Sequence, residues 1–519
     1  MGSAANEQSK VIAPELAEMD SKSNTAEIKE VVSSDQAEFL NTSDEKRLVR
    51  KIDRQVLMKF IFISLLPIMF ISYGLQFLDK TSLSYAAILG LQKDLNLGGQ
   101  KFSWTSSIFY IGYLAACYPM SLGFVKLPLG KYTSIIIGIW GIILTLHSVA
   151  NGYAGLMVLR TFLGALESGI SPAFSLITSM WYAPREHVSR HAFWYAGNAS
   201  ASIAGSMVAY GVLHYKGSME QWKILFLVFG LLTISWGVAL WFLLPDTPQT
   251  APFLSESERK FAALRPMKFQ RTTQTKVWSK AQFIETFKDP KSWWLMLFIC
   301  IASIPNGGTT SFSTLIIKGF GYDPGQTILM GLPASAFQLF SVVATALIIP
   351  RFRNSRLITM IVIYFVAIVG VLMILLVPVK KKLVRLAGFW LVVSVAPVFP
   401  LMLSLFASNT AGFTKKSTTS AFIFIGYCVG NLVGPQVFLS REAPHYQTAY
   451  KTTFACSAIE IVMLLGFRFY LQWENNRRDK LQGVHIEAED VRKVDLQTDE
   501  ALALLDETDW ENKSFRYVL

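Results

Sequence analysis

Cysteine, charge and catalytic motifs are scarce in this chain of 519 residues. Its four cysteines, Cys117, Cys300, Cys428 and Cys456, fall in apolar runs without metal-ligand spacing, so they predict reduced packing residues and no metal site. We find no nucleophile–base arrangement and no phosphate-binding loop, which argues against an enzyme and against a bound cofactor. Only 16% of the residues are charged and 52% are hydrophobic, a balance that argues against a soluble protein.

Long apolar runs are abundant instead. A crossing of the hydrocarbon core needs about 20 mostly apolar residues. Twelve runs of that kind lie approximately at 60–89, 104–121, 132–150, 155–182, 190–214, 222–244, 292–317, 327–349, 356–378, 386–407, 418–439 and 450–472. The sequence therefore predicts an all-α membrane protein of twelve transmembrane helices.

The basic residues indicate an orientation in the membrane. The formal net charge is +12, but the basic side chains form short clusters between apolar runs, which argues against a nucleic-acid partner. Clusters at 46–54, 351–356 and 477–480 predict that both termini are cytosolic. The cluster Lys380–Arg385 conflicts with this orientation, because it would then lie outside.

Polar intervals divide the chain into five regions. We expect a disordered cytosolic arm at 1–55 with no signal peptide, a six-helix bundle at 56–245 and a basic cytosolic linker at 246–291. A second six-helix bundle at 292–473 and a cytosolic tail at 474–519 follow. This layout is similar to that of the major facilitator superfamily, whose substrate site lies between the two halves.

Four charged residues lie inside apolar runs. Asp79 and Lys80 are adjacent in the first run, and Arg160 and Glu167 are seven residues apart in the fourth, so they share a helix face. A charge at mid-bilayer costs about 2.5–3.5 kcal/mol on insertion scales, so these groups need partners or a watery cavity. Two proton acceptors beside two cations predict a proton-coupled site for an anion. The alternative is a set of static salt bridges that fix helix packing.

Further polar residues are weaker candidates. In the seventh run Asn306 is a candidate substrate contact. Together with Gly307 and Gly308 it follows a proline, which indicates a gating hinge at the two glycines or, alternatively, close helix packing. Asn431 in the eleventh run could bind substrate or a neighbouring helix. Tyr110 in the second run is a candidate substrate contact, although packing is the commoner role.

A loop after the second run, GFVKLPLGKYT, is similar to the cytosolic gating motif of the superfamily. Its Gly130 and Lys131 match the glycine and base of that motif, whereas Leu127 and Pro128 stand where its Asp-Arg pair would be. We therefore expect a gating role for Gly130 and Lys131.

Longer stretches resemble one branch of the superfamily. LDKTSLSYA, RTFLGALESGISPAF and LLPDTPQTAPFL resemble the anion:cation symporters, and IPNGGTTSFSTLIIKGFGY and the final LDETDWENKSFRYVL resemble the fungal allantoate permease family. The resemblance implies proton coupling for Asp79 and Glu167 and anion recognition for Lys80 and Arg160. Lys80 replaces the usual arginine, which removes a bidentate donor but keeps the charge.

Together these observations predict a monomeric plasma-membrane symporter. It would import a proton with a small organic anion, such as allantoate, a related ureide, a short peptide or a carboxylate vitamin, by alternating access. The alternatives are an efflux antiporter of the same fold, a nutrient sensor that does not transport, and a vacuolar or other endomembrane location.

Overall fold

A computed structural model describes residues 65–182, 187–251, 254–256, 259, 278–352, 354–482, 506–513 and 515–519. The predicted N-terminal arm at 1–55 lies outside the described residues. Within the described ranges the chain is helical, with short 3-10 turns and no β-strand. Residues 66–519 form one unit.

Nine helices are found in the described part of the first half. They are α1 (Leu65–Ile88), α2 (Leu91–Asp94), α3 (Lys101–Lys126), α4 (Leu129–Leu146), α5 (Tyr153–Glu167), α6 (Ile170–Trp181), α7 (His187–Tyr195), α8 (Gly197–Leu213) and α9 (Gln221–Leu243). Only two residues separate α5 from α6, and only one separates α7 from α8. Each pair is therefore a nearly continuous helix with one interruption.

The second half begins with a short helix in the linker. Its helices are α10 (Lys280–Lys288), α11 (Pro290–Gly319), α12 (Pro324–Met330), α13 (Leu332–Ile348), α14 (Arg356–Leu376), α15 (Lys382–Val393), α16 (Val398–Asn409), α17 (Phe413–Val433) and α18 (Gln447–Gln482). Asp289 begins α11 by accepting a hydrogen bond from the Lys291 backbone, with Pro290 at the first helical position.

Nine helical stretches among the described residues are long and apolar enough to cross a membrane. They comprise α3, α4, α9, α11, α14, α17, α18 and the pairs α12–α13 and α15–α16. The other predicted crossings correspond to α1, which carries Asp79 and Lys80, and to the broken pairs α5–α6 and α7–α8. Twelve crossings, the limits of the domains and cytosolic termini stay predictions.

Glycines bring helices into backbone contact in both halves. In α17 and the turn after it, a Cβ on Gly426, Gly430 or Gly434 would overlap a carbonyl oxygen of α11. The four-residue spacing of these glycines matches the small-residue stripe of packed membrane helices. In the first half, α3 and α5 approach each other in the same way through Gly112 and Gly164.

The basic cluster at Lys380–Arg385 makes structural contacts. The Lys382 ammonium donates to the Gly321 carbonyl oxygen at 2.5 Å. Arg385 is buried, donates to the Ile374 carbonyl oxygen at 3.2 Å and lies 4.9 Å from the Phe320 ring. These two charges bind backbone carbonyls and pack at the ends of neighbouring helices.

Candidate functional site

Helices α1 and α5 bring the four predicted charges together. Asp79 and Glu167 are fully buried, Arg160 is 2% exposed and the Lys80 side chain is 14% exposed. Asp79 interacts electrostatically with Lys80, Arg160 and Glu167. The two acids and two bases sum to zero formal charge when all four are ionised.

Asp79 is held by a tryptophan of α4. The Trp140 indole nitrogen donates to Asp79 Oδ2 at 2.5 Å, and both side chains are fully buried. The other oxygen, Oδ1, has no hydrogen-bond partner among the described residues. Asp79 therefore keeps one free acceptor that a proton could occupy.

Lys80 connects α1 to the end of α5. Its ammonium nitrogen lies 3.7 Å from Glu167 Oε2, too far for a good hydrogen bond, and 5.4 Å and 5.7 Å from the ring centres of Tyr113 and Phe109. The aromatic faces stabilise the cation in place of water. Gln76 donates to the Glu167 backbone carbonyl oxygen at 3.0 Å, which fixes α5 against α1 just before the helix breaks.

Arg160 lies in the middle of α5, about two helical turns before Glu167. Its Nε and Nη2 atoms have no hydrogen-bond partner among the described residues, and its guanidinium carbon is 5.7 Å from the Phe226 ring centre. Unpaired donors on a buried cation are costly, so they are retained where a ligand or water completes them.

Two of the remaining candidates lie in the second half. Asn306 donates to Asn431 Oδ1 at 2.9 Å, and Asn431 donates to the Tyr427 carbonyl oxygen at 2.8 Å. Tyr110 packs edge-on against Tyr427, with ring centres 6.3 Å apart. These contacts join α3 of the first half to α17 and α11 of the second.

A cavity of about 140 Å³ lies between the halves. Side chains of α1, α7 and α8 line one side of it, and side chains of α11, α12, α13 and α15 line the other. Among the described lining residues hydroxyl and amide groups are frequent and none is charged. Asn306 lines this cavity, whereas Asp79, Lys80, Arg160, Glu167, Tyr110 and Asn431 do not. Asp79 and Lys80 are nevertheless close to the cavity along the chain, because they lie on α1 between the lining residues Phe77 and Thr81.

Neutral hydrogen bonds join the halves beside the cavity. Ser84 of α1 bonds to Thr314 of α11 at 2.9 Å, and Ser106 of α3 bonds to Ser311. Ser107 donates to the Leu432 carbonyl oxygen at 2.7 Å and accepts from Gln436 at 2.9 Å. We call these contacts the hydroxyl seam. It lies at the end of the bundle where α1 ends and α3 begins.

The predicted gating residues make packing contacts. Asp246 Oδ1 accepts from the backbone nitrogens of Gly130 and Lys131 at 2.8 and 3.1 Å, so a carboxylate occupies the positive N-terminus of α4. Gly307 and Gly308 allow close approach of Asn431 and Phe438, and α11 continues through them without a break. Their roles in gating stay predictions.

Sequence reasoning missed several residues of these sites. Trp140 lies in an unbroken apolar run. Because a buried indole nitrogen usually needs a hydrogen-bond acceptor, this tryptophan could have been recognised as a partner for a buried polar group. Asp246 follows α9 in the motif LLPDTPQ and gives no sign of its partner. Glu460, a buried acid of α18 that interacts with Tyr364 of α14, carries the same signal as Asp79, a charge in an apolar run.

The arrangement of the four charged side chains has the chemistry to hold protons and an anion. Within the described ranges no group of three histidine, cysteine or acidic side chains could bind a metal ion. A carboxylate with a free oxygen, a weakly paired ammonium and a guanidinium with two unused donor atoms form a buried site whose chemistry suits a proton and an anion.

Comparison with known proteins identifies the family. Residues 69–435 match the Major Facilitator Superfamily. The chain is 37% identical over 483 residues to an uncharacterized transporter of Schizosaccharomyces pombe, covering 92% of this chain and 91% of that protein. It is 35% identical over 475 residues to the allantoate permease of Saccharomyces cerevisiae, covering 87% and 84% of the two chains.

A third relative and a solved structure are also transporters. The chain is 31% identical over 500 residues to a thiamine pathway transporter of Saccharomyces cerevisiae, covering 96% of this chain and 91% of that protein. The crystal structure of a bacterial homologue of the human lysosomal transporter Spinster matches with a TM-score of 0.55 at 15% identity, over 78% of this chain and 95% of that one. The chain is therefore a multi-pass membrane transporter rather than an enzyme, and belongs to the allantoate permease-like fungal family of the major facilitator superfamily.

Proposed function

We propose that this transporter imports a small organic anion together with a proton. The observation that carries the proposal is the buried, neutral group of Asp79, Lys80, Arg160 and Glu167 beside the cavity between the halves. Protonation of Asp79 or Glu167 leaves a cation without its counter-charge, so an anion binds more tightly once a proton is bound.

The substrate would lie across the cavity and the cluster. Its uncharged polar part would meet the hydroxyl groups of the cavity and Asn306, which Asn431 holds in place. Its carboxylate would reach Lys80 and Arg160 past Tyr110. A ureide such as allantoate combines both parts, and the similarity to allantoate permease supports that substrate class.

Alternating access would open and close the hydroxyl seam. We propose that both termini are cytosolic in the plasma membrane, which places the seam on the outer side of the transporter. Neutral hydrogen bonds contribute about 0.5–1.5 kcal/mol each, so a seam of this kind can open without separating ion pairs.

The coupling proposal is tested in proteoliposomes with an imposed pH gradient and labelled allantoate. A pH difference of one unit supports up to about tenfold accumulation per proton. Asp79→Asn and Glu167→Gln are expected to abolish this accumulation while exchange of internal for external substrate continues. Glu220→Gln, which changes an exposed acid paired with Lys223, should accumulate substrate like the parent.

Accumulation that persists in both buried-acid variants would exclude these residues as the coupling groups. Outward movement of substrate when the lumen is made alkaline and the exterior acidic would instead identify a proton-driven exporter.

A further inference from the structure

The C-terminal segment Asp506–Leu519 is folded against the second half of the transporter. It follows α18 after residues 483–505, which lie outside the described residues. Its bonds reach α10, α11, α16, α17 and α18, at the end of the second half where α11 and α17 begin. We call Asp506–Leu519 the terminal segment.

Asp509 completes a buried cluster of charges. Lys415 of α17 is fully buried, and its ammonium lies 2.8 Å from an oxygen of each of Glu285, Asp289 and Asp509. An ammonium has three donors, so these three acceptors satisfy it. Lys291 of α11 binds the other oxygen of Asp509. Without Asp509, two buried cations would each lose a carboxylate partner.

Tyr517 extends the cluster to α18. Its hydroxyl donates to Asp509 Oδ2 at 2.8 Å and accepts from Lys291 at 2.8 Å and from Arg478 Nη2 at 3.0 Å. Its ring packs into the hydrophobic core of the second half. One side chain of the terminal segment thus connects the start of α11 to the end of α18.

Two asparagines bind the backbone of the terminal segment. Asn475 of α18 donates to the Tyr517 carbonyl oxygen and accepts from the Tyr517 nitrogen, both at 2.8 Å. Asn409 of α16 does the same for Val518, at 2.8 and 2.7 Å. Amide side chains arranged to take up both backbone groups of consecutive residues form a built binding site for an extended peptide.

The linker helix α10 is attached to the same site. Gln282 donates to the Asp506 carbonyl oxygen at 2.7 Å, and Thr508 donates to Glu285 Oε2 at 3.0 Å. The helix that precedes α11 is therefore fixed to the second half through the terminal segment.

We propose that the second half carries a peptide-binding groove whose ligand is the terminal segment of the same chain, and that this segment clamps α10, α11, α16, α17 and α18 into one rigid body. Any effect of the clamp on transport rests on the proposed alternating access, in which the halves move as units. The binding of the terminal segment and its effect on the stability of the protein do not depend on alternating access.

The clamp has a defined dependence on pH. Burial raises the pKa of the Asp509 carboxyl, but Lys291 and Lys415 outweigh burial and hold that pKa below its ordinary value. The charged form is thus favoured in the docked state, so docking is stable above about pH 3.9, the ordinary aspartate pKa, and weakens only below it. Glu285, Asp289 and Arg478 also face the cluster. We expect the terminal segment to stay bound between pH 5 and 8.

The test separates the segment from the folded chain. A protease site is placed within residues 483–505, the full-length transporter is purified, and it is cut after folding. The released fragment is expected to co-elute with the transporter from pH 5 to 8 and to exchange with a synthetic peptide of residues 506–519, but not with the Asp509→Asn peptide. Displacement should lower the melting temperature by about 5 °C or more, because it leaves buried charges unpaired.

Matched variants complete the test. Asp509→Asn in the full chain is expected to lower the melting temperature and let the fragment elute alone after cutting. Lys513→Gln, at an exposed position of the same segment, should behave like the parent.

The proposal is overturned if the parent fragment elutes alone without a fall in melting temperature, or if its displacement raises the transport rate. Loss of transport in Asp79→Asn with the fragment still bound leaves the clamp intact and concerns coupling alone.

Discussion

At the scale of single residues, the buried ammonium of Lys80 is only weakly paired. Its ammonium has three donors, yet Glu167 at 3.7 Å is the only carboxylate within ion-pair distance in the part of the chain that the structure describes. The aromatic rings of Phe109 and Tyr113 also face the cation. Lys80 therefore has donors left for an anion, which the satisfied Lys415 has not.

Substitutions of Lys80 distinguish charge from geometry. Lys80→Met removes the cation and leaves Glu167 buried without its partner, so we expect loss of transport and a destabilisation of about 3–5 kcal/mol. Lys80→Arg keeps the charge and adds a planar fork, so transport should persist with a changed preference among carboxylates. Uptake of labelled substrate with unlabelled carboxylates as competitors measures both effects.

Static packing makes a different prediction for the same two variants. If Lys80 served packing alone, transport and competition in Lys80→Arg would match the parent, and transport in Lys80→Met would follow the amount of folded protein. Thermal unfolding of each purified variant supplies that correction.

At the scale of helices, the crossing of α3 and α5 positions the charged cluster. A Cβ at Gly164 would overlap the Phe109 carbonyl oxygen, and one at Gly112 would overlap that of Thr161. Gly164 lies between Arg160 and Glu167 on α5, so this close approach sets how deeply both charges enter the bundle.

Two glycines of α5 form a matched pair for testing this contact. Gly164→Ala must push α3 away, so it should destabilise the protein by about 1–3 kcal/mol and reduce transport. Gly155→Ala meets no atom within 4 Å and should be neutral or stabilise by about 0.5–1 kcal/mol through helix propensity. Thermal unfolding and uptake are measured for both, and equal effects would contradict the role of the crossing.

The helices also show which features the sequence could predict. Arg160 and Glu167 share a face of one helix because seven residues make about two turns, so local periodicity was enough. The indole bond from Trp140 to Asp79 depends on a contact between separate helices. Periodicity in a single sequence predicts which residues share a helix face, but it does not predict which side chain of another helix contacts them.

At the scale of the whole molecule, the halves meet through neutral groups on one side and carry charge inside each half. The hydroxyl seam contains serine, threonine and glutamine contacts, whereas the charged cluster belongs to the first half and the Lys415 cluster to the second. Rocking of the halves would then break weak contacts and preserve strong ones, as movement of two rigid bodies requires.

Cross-linking across the seam tests that division. Ser84 and Thr314 hydroxyls are 2.9 Å apart across the halves, so Ser84→Cys with Thr314→Cys should form a disulfide on oxidation and stop transport until it is reduced. Ser292→Cys with Thr419→Cys replaces a 3.1 Å pair within the second half and should leave transport unchanged when oxidised. Both pairs are introduced into a chain whose four native cysteines are replaced by alanine. Continued transport with the first pair oxidised, confirmed by mass spectrometry, would mean that the seam does not open during the cycle.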